Sequence, residues 1–132
     1  MRLTFPCLLF SFTTVFSGWS HAGDTTPDRQ LQRWQAQAPA AASAGRGRDF
    51  FVTKAQHNWS CATCHNAPPN FAGEHAKTKK RIRPMAPAFN DQAFTNERKA
   101  DKWFRRNCND VVGRECSAQE KADVLAYLLS VR

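Results

Sequence analysis

Apolar residues recur at helical spacing in four stretches of the chain that follow an apolar run from Leu3 to Phe16, and elsewhere they are scattered. Thr26 and Pro27 open the first stretch, which carries Leu31 and Trp34 on one face and ends near Pro39. Proline suits the first helical position, where its missing N–H would have had no partner, so a short, peripheral helix is predicted there. The Ala-rich connector 38–44 leads into a second helix from Ser43 to Lys54 bearing Gly47, Phe50, Phe51 and Val52. Gly47, with no Cβ, would let another helix approach closely. Thr95 is the expected cap of a third helix over 96–108, on which Ala100, Trp103, Phe104 and Asn107 share one face at about 100° per residue. Ser117-Ala118-Gln119-Glu120 reads as a capping box, and Ala122, Val124, Leu125, Tyr127, Leu128 and Leu129 make the terminal helix amphipathic. Crossing of the second and terminal helices is the expected core. Pro68, Pro69, Pro84 and Pro87 interrupt any period between them, so that stretch is predicted to be a long loop.

The apolar run at the start has its own logic. Met1-Arg2 gives a positive start and Ser20-His21-Ala22 supplies small residues where a signal peptidase reads, so cleavage is expected before Gly23. A spanning helix needs about 20 apolar residues, and this run is shorter, so the processed chain is not expected to cross a membrane. The predicted division is 1–22 as signal peptide, 23–44 as N-terminal helix and connector, and 45–132 as the functional domain, exported to the periplasm. Of the 19 Lys and Arg only Arg2 leaves with the signal, and the 11 Asp and Glu all stay, which reduces the net charge from +8 to +7. Outside the cytoplasm such a charge points away from nucleic acid and towards an acidic protein or anionic surface. Lys77, Lys79, Lys80, Arg81 and Arg83 put five cations into seven positions of the long loop.

Cys61-Ala62-Thr63-Cys64-His65 is a complete C-x-x-C-H. Two thiols at this spacing add to the two vinyl groups of one porphyrin, and the histidine that follows supplies the proximal iron ligand. The competing readings, a thioredoxin-like dithiol or half of a zinc site, would call for surrounding strands or a second C-x-x-C. The pattern therefore predicts an all-α, small single-domain cytochrome c fold whose long loops wrap one covalent haem c. Phe71, Ile82 and Phe94 are the loop residues expected against it. Cys7 departs with the signal, which leaves Cys108 and Cys116 as the expected disulfide of an oxidising compartment.

Four residues compete for the iron position opposite His65. His57 precedes the motif too closely to reach the other face easily, and His75 falls in a polar loop where it is expected to be solvated. Met85, in Pro84-Met85-Ala86-Pro87, has the soft sulfur that electron-carrier cytochromes use. Asn107 is a lone amide centred on an apolar stripe, and a buried amide left without a partner costs about 1–3 kcal/mol. Haem iron would be such a partner, as would helix-end backbone groups or water.

The segment Trp103-Phe104-Arg105-Arg106-Asn107-Cys108-Asn109-Asp110-Val111-Val112-Gly113-Arg114-Glu115-Cys116, with Glu120-Lys121-Ala122-Asp123, resembles the family of the sphaeroides haem protein and cytochrome c-double-prime. The likeness extends to Gly23-Asp24-Thr25, Gly47, Phe51 and Ile82-x-Pro84-x-Ala86-Pro87. It implies that Asn107, just before the first disulfide cysteine, ligates ferric iron and leaves on reduction, where cytochrome c-double-prime carries histidine. It also implies that Met85 occupies an aliphatic, non-ligating position. O2, NO or CO would then reach ferrous haem in a pocket lined by Trp103 and Phe104, with a dihaem cytochrome c and a membrane cytochrome b as redox partners. A plain His65/Met85 carrier is the alternative. An enzyme reducing O2, peroxide or NO is the weakest reading, because only Arg105 and Arg106 lie near Asn107 as distal acid–base groups.

Overall fold

The computed structural model describes residues 23–132, so the expected export signal and Cys7 lie outside the described residues. Helix α1, Pro27–Gln35, starts where Thr26 accepts the Arg29 N–H at 3.2 Å and Pro27 opens the first turn. The helix is not peripheral as expected. Leu31 and Trp34 pack on the core, and Gln30 is fully buried with its Nε2 donating to Thr25 Oγ1 at 3.1 Å. Arg33 pairs with Asp101, and the Trp34 ring takes the Arg33 guanidinium at 4.3 Å and Lys121 Nζ at 4.1 Å.

Helix α2, Ala44–Val52, is capped by Ser43, and helix α5, Ala118–Ser130, by the reciprocal box in which Ser117 Oγ accepts the Glu120 N–H at 3.2 Å and Glu120 accepts the Ser117 N–H at 2.8 Å. The two helices cross at Gly47, where a Cβ would stand 1.8 Å from the Asp123 carbonyl oxygen. That closeness buries Phe51, Leu125 and Leu128 completely, with the Tyr127 ring edge-on to Phe51 at 5.5 Å. Each such side chain contributes about 1.5–3 kcal/mol of transfer free energy.

Helix α3 is the single turn Cys61–His65, and helix α4 runs from Glu97 to Val112. The α4 cap is Asn96, not Thr95: Asn96 Oδ1 accepts the Lys99 N–H at 2.8 Å, whereas the Thr95 hydroxyl donates to the Gln92 carbonyl at 3.1 Å. The helix also continues four residues beyond the expected end at Cys108, until Gly113 takes φ +80° in the left-handed region that stops it. Cys108 and Cys116 form the expected disulfide, with Cα atoms 5.6 Å apart, so the bridge sits inside the last turns of α4 and leads into α5. The long loop is not wholly irregular. Strands β1, Gly73–Glu74, and β2, Arg81–Ile82, pair antiparallel with Gly73 opposite Ile82, and a short 3-10 turn spans Pro87–Phe89. A Cβ on Gly73 would lie 1.9 Å from the Cys64 carbonyl oxygen, so the hairpin rests on α3 through a position that only glycine fits.

Candidate haem site

The turn that carries the C-x-x-C-H is held at its start by Ser60, whose N–H donates to Thr63 Oγ1 at 2.9 Å. Cys61, Cys64 and His65 then line one cavity of about 620 Å³, within the size range of cofactor sites. Its other walls come from the loop, with Ile82, Met85 and Phe94, and from α4, with Trp103 and Asn107.

Three observations fit this cavity to a covalent haem. Cys61 and Cys64 are both unbridged although they are adjacent on one turn, while Cys108 and Cys116 are joined. Burial pushes the Cys61 thiol up to about 11, the opposite of the lowered value that makes a dithiol a redox catalyst. The His65 Nδ1 is buried without a hydrogen-bond partner among the described residues, and burial also lowers the imidazole's proton affinity. A neutral imidazole shielded from water is the form that binds iron. The thioethers would form at Cys61 and Cys64, and His65 would hold the iron.

Several expected site residues meet at the cavity and others do not. Trp103 lines it and remains 42% exposed, but Phe104 does not line it. Phe104 is one position further round the helix, which turns it into the hydrophobic core behind Phe94, with ring centroids 6.0 Å apart. Ile82 and Phe94 reach the cavity as expected from the loop, whereas Phe71 does not line it and is 55% exposed. His57 is exposed, outside the lining. His75, expected in solvent, belongs to the wall: its Nδ1 accepts the Lys77 and Thr78 N–H groups at 3.3 and 3.2 Å, which fixes the ring in the turn between β1 and β2. Trp59 and Lys99 line the cavity as well, without having drawn attention in the sequence.

Asn107 and Met85 both reach the cavity, but their surroundings differ. Asn109, two positions beyond Asn107, folds its amide back to the Arg105 carbonyl at 2.7 Å, while Asn107 borders the cavity. The next residue, Cys108, is buried and anchored by its bridge. Met85 donates its N–H to the Pro69 carbonyl at 3.1 Å and packs its side chain on the hydrophobic core.

A single-turn C-x-x-C-H, a cavity closed by a long loop, and the crossing of α2 with α5 define a small c-type cytochrome with one covalent haem. Residues 37–128 match a family described as a domain of unknown function, DUF1924. The chain is 41% identical over 120 residues to the cytochrome c-type protein SHP of Cereibacter sphaeroides, which covers 88% of this chain and 92% of that protein. The structure of oxidised SHP, an oxygen-binding cytochrome c, superposes with a TM-score of 0.75 at 42% identity over 80% of this chain and 97% of that one. Cytochrome c'' of Methylophilus methylotrophus is 40% identical over 129 residues, 90% of each chain. Its solution structure, which addresses haem-ligand detachment, matches with a TM-score of 0.68 at 32% identity over 79% of this chain and 92% of that one. The chain belongs to the family of SHP and cytochrome c''.

Proposed function

We propose that the chain is a periplasmic electron-transfer cytochrome, matured by cleavage before Gly23 into an N-terminal part (23–44) and a haem domain (45–132), whose Asn107 amide is a displaceable ligand of the haem iron. Haem, when bound, would supply a one-electron centre able to take a diatomic ligand. His65 would hold the iron from α3, and Asn107 would hold it from α4 while the metal is oxidised. A neutral amide oxygen is a hard, weak donor, adequate for ferric iron and poorly matched to ferrous iron, so the Asn107 amide would be held less firmly once the metal is reduced. Trp103 would border the space open to O2, NO or CO. The observation that carries this reading is that His65 and Asn107 border one cavity from two different helices, while Met85 is engaged with the core. Oxygen binding in SHP and ligand detachment in cytochrome c'' are behaviours of the relatives that accord with it. A dihaem cytochrome c and a membrane cytochrome b are the proposed electron donors, and the protein acts as a carrier and gas binder more than as an enzyme.

A His65/Met85 carrier is the second reading, because Met85 also lines the cavity. Absorption spectra of both oxidation states, with and without carbon monoxide, separate the two. On the proposed reading, wild type takes up carbon monoxide rapidly once reduced, and Asn107→Ala changes the ferric spectrum. A sulfur-to-iron band that is lost in Met85→Leu would establish the carrier instead.

A further inference from the structure

The cavity has a cationic rim on two sides. Arg81 and Arg83 line it from the loop, and Lys99 and Arg106 line it from α4. Lys80 and Lys102 are exposed close by, one next to Arg81 and the other one helical turn from Lys99. Among the described residues, only Arg106 of these six lies within 4 Å of a carboxylate, Asp110 at 3.9 Å, with both side chains 60% exposed. The carboxylates of a seated haem would offset only part of this charge. On α4, between Lys99 and Arg106 in sequence, stands Trp103, which lines the cavity, is 42% exposed, and has the Arg106 guanidinium 5.5 Å from its ring centre. A tryptophan and an arginine surrounded by solvated charges have the make-up of a protein-binding hot spot.

We infer that this face is the docking surface for an acidic electron-transfer protein, with Trp103 as the contact nearest the haem cavity. The unpaired cations draw an acidic partner in and orient it. Trp103 both lines the cavity and reaches solvent, so it lies on the route by which electrons would cross from the partner. The inference rests on haem being seated in this cavity and is independent of whether Asn107 is displaced.

The test uses the oxidised holoprotein and stopped-flow reduction by flavodoxin hydroquinone, an acidic protein donor, with photoreduced lumiflavin as an uncharged small donor. The flavodoxin rate constant is expected to fall about tenfold or more between low and high salt, and the lumiflavin rate to stay constant. Lys80→Glu and Lys102→Glu should each slow flavodoxin several-fold at low salt and leave lumiflavin unaffected. Arg48→Glu, which borders a different cavity with Tyr127 and Arg132, should change neither rate. The Trp103 indole N–H signal of the wild type should shift when flavodoxin is added. A flavodoxin rate indifferent to salt, an Arg48→Glu effect as large as that of Lys102→Glu, or an unmoved Trp103 signal would overturn the docking surface. Failure to take up haem, or to be reduced by lumiflavin, would overturn the haem reading beneath it.

Discussion

The backbone of Gly47 lies so close to that of Asp123 that the hydrogen on its Cα occupies space in which a methyl group would meet the Asp123 carbonyl oxygen at 1.8 Å. Both atoms belong to helix backbones, so no side-chain rotation relieves the clash. Gly47→Ala is expected to separate α2 from α5 and to destabilise the holoprotein by about 3 kcal/mol, at the upper end of overpacking effects. Urea unfolding of the two proteins, compared at matched haem content, measures it.

The same crossing is tied by charge. The Asp123 carboxylate is buried and accepts the Ser43 N–H at 2.7 Å, Arg46 Nε at 2.9 Å and Gln119 Nε2 at 3.1 Å. Burial alone would raise its pKa, but the Arg46, Ser43 and Gln119 hydrogen bonds outweigh burial and hold it below the usual carboxylate value. A folded-state value below the unfolded one contributes stability that is complete above the unfolded value and disappears as pH falls through the folded one. Asp123→Asn should therefore cost about 2 kcal/mol at neutral pH and much less once the pH has fallen through the lowered folded-state value. Stability measured from pH 7 down to the acid limit should show the two proteins converging; a constant difference would mean that the charge of Asp123 is not what matters.

What the sequence discloses and what it conceals divide by distance along the chain. The caps at Thr26 and Ser117 are legible because each bonds within three residues of itself. The α4 cap is not, because Thr95 and Asn96 are equally good cap residues, and part of what selects Asn96 is Asp24, which accepts the Glu97 N–H at 2.9 Å from far away in the chain. The burial of α1 is hidden for the same reason, since Arg33 finds Asp101 on α4. The C-x-x-C-H is the most legible part of the site, a contiguous pattern with one chemistry. The inward placement of His75 depends on the turn between β1 and β2, whose two-residue strands are too short to leave a period in the sequence.

The bridge between Cys108 and Cys116 has a local task. It spans eight positions, so its chain-entropy contribution is about 2–3 kcal/mol. Replacing both cysteines by serine should lower stability by that amount. Amide exchange should accelerate most between residues 105 and 112, where α4 carries Asn107. Acceleration spread evenly over α2 and α5 would contradict this assignment.

Met85→Leu separates packing from ligation. If the thioether only fills space against the core, the exchange is nearly volume-conserving and should cost less than about 1.5 kcal/mol. The ferric absorption spectrum should be unchanged. Absorption spectroscopy and thermal unfolding of the purified holoproteins provide both numbers.

The central claim, that the Asn107 amide holds the second axial position of the oxidised haem and leaves it on reduction, is tested most directly by X-ray absorption at the iron edge in both oxidation states. The account predicts only nitrogen and oxygen neighbours in the oxidised protein, one fewer neighbour after reduction, and the loss of that difference in Asn107→Ala. A sulfur neighbour present in both states, unaffected by Asn107→Ala, would contradict it.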